Sequence, residues 1–193
     1  MTRMMEKPMS RIQQITRTDL IEQERHHFDA IAGTRGEVRG PFPVLLNSPD
    51  VAERIANVGT YVRFETTLEP SQREIAILTV ARVWDCQYEW TAHQPIAEAA
   101  GTRPEAIVAI RDRTAPDGLT AEEAVVFNYV HELLSNRRVS ESTYESAANM
   151  LGTKSLTDLT VTAGYYSMLA CALDAFEVWP EEDMEPLLPN ASY

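Results

Sequence analysis

The sequence predicts an all-α protein, and three observations lead to that fold class. Apolar residues recur at helical spacing along most of the chain, helix start and stop signals separate these segments, and the alternating pattern of a strand is absent. The 193 residues are enough for one domain with a continuous core. We expect about seven to eight helices.

The first predicted helix runs from about Leu20 to Ile31, with Asp19 as its N-cap. Glycines and prolines then interrupt any regular element from Gly33 to Pro43, so this segment is predicted to be a long loop. Ser48 followed by Pro49 is typical of an N-cap and a first helical position. This second helix is expected to reach about residue 65.

The helix that follows Pro70 is predicted to lie at the centre of the domain. From Arg73 to Trp84, apolar residues cover most of its circumference, which is the pattern of a buried helix. Asp85 is expected to cap the next helix, which carries Cys86 and ends at Gly101.

The last third of the chain contains further helix signals. A short helix follows Pro104, and Thr120 with Glu123 matches a capping box. Two more helices are expected over about 140–150 and 155–177. The second would begin with a capping box in which Ser155 is the cap and Asp158 replaces glutamate.

Three regions are predicted along the chain: an N-terminal arm with the first helix (1–35), the helical domain (36–180) and an acidic C-terminal tail (181–193). Residues 1–18 lack a clean hydrophobic period, so we expect a mobile or partner-wrapping arm.

The composition argues against several classes of partner. The formal net charge is −12 with a pI near 4.8, so the surface repels phosphate backbones and nucleic acid is not expected. No apolar run approaches the length of a membrane span and no secretory signal is visible, so a cytoplasmic protein without membrane contact is expected. The two cysteines, Cys86 and Cys171, are not expected to form a structural disulfide, and Cys171 is interpreted as a core residue.

One stretch carries the candidate chemistry. Cys86, Glu89 and His93 are three and four residues apart, which places them on one face of a helix, with Tyr88 and Trp90 beside them. A thiol, a carboxylate and an imidazole in line are the components of nucleophilic or acid/base catalysis. An exposed Glu–His pair on a helix surface is the alternative. Cys86 could equally be a reactive thiol near a helix start or a small buried residue.

No metal site is predicted. One histidine and scattered carboxylates around Cys86 do not make a ligand set. His26 and His27 are adjacent in sequence and are therefore expected to point to different faces of their helix.

The sequence from Arg73 to Gly101 resembles the carboxymuconolactone decarboxylase family, which shares its fold with the AhpD alkylhydroperoxidases. The AhpD signature is a glutamate followed, twelve positions later, by the first cysteine of the motif Cys-x-x-Cys-x-x-x-His. Here Glu74, Cys86 and His93 match the glutamate, the first cysteine and the histidine, and Glu89 occupies the position of the second cysteine.

This resemblance implies an AhpD-like helical fold and a homo-oligomer, often a trimer or a hexamer. It also implies one of two chemistries. Peroxide reduction needs a second cysteine to resolve the first as a disulfide, and Glu89 cannot do so. The substitution therefore favours proton transfer over redox chemistry.

The decarboxylase resemblance leads to a specific hypothesis: acid/base decarboxylation, or related lyase or isomerase chemistry, on a small carboxylic acid or lactone without any cofactor. His93 would donate a proton, with Glu89 or Glu74 orienting it. Arg73 or Arg39 would hold the substrate carboxylate, although either could be an ordinary surface arginine. Further candidates for substrate contact are Tyr88, Trp90, Tyr165 and Tyr166. For Tyr165 and Tyr166, packing in the core is the alternative interpretation.

Two alternatives to this hypothesis stay open at this point. One is a thiol peroxidase or redox protein that uses Cys86. The other is a non-catalytic oligomer that uses the same fold to bind a ligand.

Overall fold

A computed structural model describes residues 10–180 and Leu187, and these residues form eight α-helices and no strand. The helices are α1 (Arg25–Arg35), α2 (Phe42–Leu45), α3 (Pro49–Thr60), α4 (Pro70–Val83), α5 (Gln87–Ala99), α6 (Pro104–Arg111), α7 (Ala121–Asn136) and α8 (Glu141–Ala175). A 3-10 turn at Glu22–Glu24 precedes α1, and a π-helical turn at Tyr61–Glu65 continues α3. The predicted all-α class is confirmed.

Helix α4 lies at the centre of the main core, as predicted. It packs against α5, α7 and α8, and every residue from Glu74 to Arg82 is buried. A helix enclosed on all sides needs apolar side chains around its whole circumference, which this sequence supplies. Its one acidic residue, Glu74, is therefore buried with the apolar ones.

A second, smaller core lies between α1, α2 and α3. Ile31 of α1 packs with Phe42 of α2 and with Ala52 and Ala56 of α3. Because alanine side chains are small, α1 can approach α3 closely. This layer brings the C-terminal end of α1 next to the main core.

The first helix begins and ends later than predicted. The Asp19 carboxylate accepts hydrogen bonds from the backbone N–H and the hydroxyl of Thr16, 2.8 and 2.6 Å away, so it stabilises a turn and does not cap α1. The helix ends at Arg35, before Gly36 with φ of 80°. The predicted loop from Gly33 to Pro43 also contains the start of α2, where proline is tolerated in the first turn.

Asp85 does not cap α5, which corrects the sequence prediction. Its φ is 50°, the N-cap residue is Cys86, and the Asp85 carboxylate pairs with Arg82 and with Arg113, the latter at 2.7 Å. Asp85 therefore belongs to a surface ion-pair group that closes the turn between α4 and α5.

The capping prediction at α7 is confirmed, whereas the one at Ser155 is wrong. The Thr120 hydroxyl accepts from the backbone N–H of Glu123, and the Glu123 carboxylate accepts from that of Thr120. Ser155, by contrast, is not an N-cap, because it lies inside the second half of α8, three residues after a break at Gly152 where φ is 72°. The two helices predicted for this region are present as the two halves of α8, on either side of this break.

Asp158 has a different role from the predicted cap. Its buried carboxylate accepts hydrogen bonds from the Tyr61 hydroxyl at 3.0 Å, the Thr66 hydroxyl at 3.2 Å, and the Thr67 backbone N–H and hydroxyl at 2.9 and 2.8 Å. Burial alone would raise the pKa of Asp158, but the hydrogen bonds from Thr67, Tyr61 and Thr66 lower it. This carboxylate fixes the segment between α3 and α4 against α8.

Residues 10–15 run along the helical body. The backbone N–H of Arg11 donates to the backbone oxygen of Phe176, and the backbone N–H of Ile15 donates to that of Pro43, both at 2.8 Å. The rest of the predicted arm (1–9) and, apart from Leu187, the predicted acidic tail lie outside the described residues. Within the described part of the chain, no helix is both long and apolar enough to cross a bilayer.

Replacing Asp158 tests its role in the fold. We expect Asp158→Ala to lower the free energy of unfolding by about 2–4 kcal/mol, because four donor groups lose their buried acceptor. Denaturant unfolding at neutral pH measures this loss. Since the pKa of Asp158 is lowered, its contribution is present above the ordinary value of 3.8 and disappears as the pH falls through the lowered pKa.

The matched control is Asp112→Ala, which removes a partly exposed carboxylate paired with its neighbour Arg111. This control should change stability by less than about 0.5 kcal/mol. Equal losses in the two variants would contradict the role of Asp158.

Candidate active site

Three side chains from α4 and α5 form a row of carboxylate, imidazole and carboxylate. His93 Nδ1 lies 2.8 Å from Glu74 Oε2, and His93 Nε2 lies 3.6 Å from Glu89 Oε2. All three residues are buried, with exposed fractions of 1% for Glu74, 4% for Glu89 and 7% for His93. The hypothesis that Glu89 and His93 are an exposed surface pair is therefore wrong.

Glu74 is the ionised member of this row. Burial alone would raise the pKa of its carboxyl, but the hydrogen bond and charge of His93, together with Arg73, lower it. Because an ionised carboxylate only accepts hydrogen bonds, the proton on His93 Nδ1 points to Glu74. The second nitrogen, Nε2, is thereby directed towards Glu89.

Glu89 has the opposite character. Burial raises the pKa of its carboxyl, and this outweighs the opposing charges of His93, Arg63 and Arg35. The distance of 3.6 Å to His93 is also too long for a hydrogen bond that would hold the charged form. Two carboxylates on either side of one imidazole therefore have pKa values shifted in opposite directions.

Glu89 and His93 open onto a pocket of about 320 Å³. Tyr166 of α8 packs its ring edge-on against His93, with the ring centroids 4.9 Å apart. The further lining residues that carry polar or charged side chains are Arg35, Glu37, Arg39, Arg63, Tyr88 and Tyr165. The structure thus places His93, Glu89, Arg39, Tyr88 and Tyr165 of the predicted site at one pocket.

Arg73 and Trp90 lie elsewhere, which corrects their predicted contact with substrate. Arg73 donates from Nε to Glu74 at 3.1 Å and from a terminal nitrogen to the backbone oxygen of Arg63 at 2.8 Å. Trp90 is buried in the core and its indole N–H donates to Gln94. Neither residue lines the pocket. Arg73 acts on the site by holding Glu74.

Arg35 is a pocket residue that the sequence did not reveal. It extends from the last turn of α1, stacks over the Phe42 ring at 4.2 Å and donates to the Tyr165 hydroxyl at 3.1 Å. Its Nε is buried and has no hydrogen-bond partner among the described residues. No local pattern distinguishes Arg35 from Arg39, and only the packing of α1 on α3 brings it here.

Gly59 of α3 makes room for this arginine. A Cβ at this position would lie 2.0 Å from the Tyr165 hydroxyl oxygen and 2.2 Å from an Arg35 terminal nitrogen. Any larger residue would therefore displace both groups. The backbone of α3 thus forms one wall of the site.

The two cysteines are not arranged for thiol chemistry. Cys86 is fully buried at the N-cap of α5 and does not line the pocket. Burial, with the nearby carboxyl groups of Asp174 and Glu89, raises the pKa of this thiol well above its ordinary value, so the nucleophilic thiolate is disfavoured. Cys171, predicted to be in the core, is exposed on α8.

His26 and His27 do not point to different faces of the helix, contrary to the sequence prediction. Their ring centroids are 3.9 Å apart, and His27 Nδ1 lies 2.5 Å from Glu53 Oε2 on α3. These three side chains form a second cluster of titratable groups on the α1–α3 layer.

Comparisons with known proteins agree with this fold. The model of the carboxymuconolactone decarboxylase family matches residues 49–132, a segment that contains Glu74, Glu89 and His93. The resemblance inferred from the sequence is confirmed for this segment. A search of the curated proteins finds no match.

Several solved structures have the same fold. An uncharacterized peroxidase-related protein with an alkylhydroperoxidase AhpD core, from Ralstonia eutropha JMP134, superposes with a TM-score of 0.74 at 15% identity, over 91% of this chain and 94% of that one. A peroxidase-related protein from Silicibacter sp. TM1040 gives 0.72 at 16% identity, over 94% and 96% of the two chains. The debrominase Bmp8, in a cysteine-to-alanine variant with 2,3,4-tribromopyrrole, gives 0.71 at 11% identity, over 89% and 91%. At these identities, the likeness concerns the fold alone.

The raised pKa of Glu89 predicts a pH-dependent effect of Glu89→Gln on stability. The neutral carboxyl suits its buried position, so the wild type has its full stability below the ordinary pKa of 4.5 and loses part of it as the pH rises through the raised value. Glutamine has no charge to bury. Thermal unfolding from acid to alkaline pH should therefore show the variant gaining stability relative to the wild type as the pH rises.

Glu98→Gln is the matched control, because Glu98 is an exposed glutamate on the same helix. Its stability difference from the wild type should stay nearly constant over the same pH range. A constant difference for Glu89→Gln as well would show that the Glu89 carboxyl is not held in its neutral form.

Proposed function

From the match of residues 49–132 to the carboxymuconolactone decarboxylase family, we propose that the chain is a cofactor-independent acid/base enzyme. Its substrate is a small carboxylated lactone or ring acid, and its reaction is decarboxylation or a closely related lyase or isomerase step. The observation that carries this proposal is the buried row Glu74–His93–Glu89 at the wall of a pocket.

The row is suited to delivering a proton. Glu74 fixes the orientation and tautomer of His93, as the carboxylate does in other carboxylate–imidazole pairs. His93 Nε2 then faces both Glu89 and the pocket. With Glu89 held neutral by burial, its carboxyl carries a proton 3.6 Å from Nε2 and can resupply it.

In the proposed step, the bond from the ring carbon to its carboxylate breaks and CO₂ leaves. The electron pair moves through the unsaturated ring onto the lactone carbonyl oxygen as an enolate. Protonated His93 transfers its Nε2 proton to a ring carbon, and the electron pair returns to form the new C–H bond. The proton on His93 is replaced through Glu89 and ultimately from solvent.

Arg35 and Arg63 are suited to hold the substrate carboxylate. Both line the pocket, and neither forms an ion pair with a carboxylate among the described residues. Buried or half-buried arginines without a paired carboxylate are unusual in a chain that has 29 acidic and only 17 basic residues. An incoming carboxylate would be attracted by both positive charges and would accept hydrogen bonds from guanidinium N–H groups that face the pocket. Arg39 pairs with Glu37 at 3.3 Å on the exposed rim of the pocket. It is therefore better placed to attract the substrate than to hold its carboxylate in the bound state.

The alternative of a thiol peroxidase is less well supported by the site. The Cys86 thiol is buried, has a raised pKa and does not reach the pocket. The debrominase activity of Bmp8 and the peroxidase-related character of the other fold neighbours belong to those proteins. The non-catalytic ligand-binding alternative would use the same pocket, and turnover separates it from our proposal. A homo-oligomer, expected to be a trimer or a hexamer, and a cytoplasmic location stay predictions.

Turnover by site variants tests the acid/base proposal. We expect wild-type protein to release CO₂ from at least one member of a panel of carboxylated lactones and ring acids. His93→Gln and Glu89→Gln should each lower kcat about 100-fold or more, because proton transfer loses its donor or its relay. CO₂ release and loss of ring absorbance provide the two measurements.

His131→Gln serves as the control, since His131 is an exposed histidine on α7. It should retain wild-type kcat. Unchanged turnover in both site variants would refute the acid/base role, and peroxide reduction that depends on Cys86 would support the redox alternative.

The carboxylate grip leads to a separate prediction for KM. Arg35→Met should raise KM for the active substrate about tenfold or more, because the substrate carboxylate loses a charged hydrogen-bond partner worth about 1.5–3 kcal/mol. Steady-state kinetics measures KM and kcat separately. The control Arg54→Met removes a surface arginine whose side chain is 74% exposed, and it should leave both parameters unchanged.

Gly59→Ala tests the position of Arg35 without changing the arginine itself. The added methyl group displaces Arg35 and Tyr165, so we expect a similar rise in KM. Gly33→Ala adds a methyl group to α1 with no atom within 4 Å and should leave KM unchanged. An unchanged KM in both Arg35→Met and Gly59→Ala would contradict the assignment of Arg35.

A further inference from the structure

The cluster of His26, His27 and Glu53 lies on the layer formed by α1 and α3. The two histidines are in the first turn of α1, and Glu53 lies on α3. One ligand atom from each side chain lies within 4.8 Å of the others. Two nitrogens and one carboxylate oxygen at such separations are a donor set that divalent transition-metal ions bind.

The hydrogen bond made by His26 prepares it as a ligand. Its Nδ1 lies 2.7 Å from the backbone oxygen of Gln23. A carbonyl oxygen can only accept, so Nδ1 carries the proton in this contact and Nε2 of the neutral ring keeps its lone pair. A backbone carbonyl that holds one ring nitrogen is a common outer contact of metal-bound histidine.

His27 and Glu53 form a hydrogen bond at the place where an ion would bind. His27 Nδ1 and Glu53 Oε2 are 2.5 Å apart, whereas two ligands of one tetrahedral zinc ion are about 3.3 Å apart. An opening of about 0.8 Å would therefore let an ion take the place of this hydrogen bond. The side chains of His27 and Glu53 are 12% and 31% exposed, so the position is sheltered and still open to an entering ion.

We propose that His26, His27 and Glu53 bind one divalent transition-metal ion, with zinc as the reference ion and water completing the coordination. The set contains nitrogen donors, so it favours zinc, cobalt or nickel over magnesium and calcium, which prefer oxygen ligands. This site is separate from the pocket and does not depend on the proposed reaction.

Bound metal would fasten α1 to α3 at a place that matters for the pocket. Arg35 lies at the other end of α1, and Gly59, against which it packs, lies on α3. A metal bridge between these helices would oppose their separation and keep Arg35 against its wall. We therefore assign the cluster a stabilising role rather than a catalytic one.

Zinc binding to the untagged, chelator-treated protein tests this proposal. Isothermal titration with zinc chloride should show one ion per chain, and zinc at about 100 times Kd should raise Tm by about 5 °C or more. Magnesium chloride should give no shift. His26→Ala, which truncates an exposed side chain, should fold with the Tm of the metal-free wild type and bind zinc at least about tenfold more weakly.

The matched control is His131→Ala, which removes an exposed histidine from α7 and should retain the full zinc-dependent rise in Tm. Glu53→Gln, which keeps the shape of the side chain and loses its charge, should lose most of that rise. If Glu53→Gln fails to fold, His26→Ala decides the matter alone. A wild type that shows no zinc-dependent shift, or a shift that is equal in His26→Ala, would overturn the proposal. Because the readouts are zinc binding and Tm, failure here leaves the acid/base proposal unaffected.

Discussion

The arrangement of the site depends on one buried charge, the carboxylate of Glu74 on α4. Since α4 is enclosed on all sides, this carboxylate cannot be solvated and needs partners from the protein. Arg73 supplies one from the same helix and His93 supplies the other from α5. The hydrogen bond between His93 and Glu74 therefore sets the position of α5 against α4 and directs Nε2 of His93 towards the pocket.

The contrast between the two glutamates follows from what surrounds each one. Glu74 has a hydrogen-bonded imidazole and an adjacent arginine, so its pKa falls although it is buried. Glu89 is equally buried, but its nearest positive partner is 3.6 Å away, so burial dominates and its pKa rises. A single imidazole between an ionised and a neutral carboxyl group is the arrangement expected of a proton donor and its relay.

The pocket is lined by residues from inside and from outside the segment that matches the family. The segment 49–132, which matches the family, contributes the row of Glu74, Glu89 and His93. Arg35 and Tyr165 lie outside that segment and meet at Gly59. The residues proposed to transfer the proton and one arginine proposed to hold the substrate, Arg63, thus lie in the matched segment, whereas the other arginine, Arg35, comes from α1.

The sequence by itself determined what depends on local spacing. Helical periodicity specified the all-α class and the buried α4, and the interval of four residues placed Glu89 and His93 on one face of α5. Tertiary structure alone decided the contacts between helices: Glu74 with His93 across 19 positions, Arg35 in the pocket, Asp158 as an anchor and Cys171 at the surface. Periodicity states which face of a helix is buried, but the partner of that face depends on how the helices cross, which no single helix encodes.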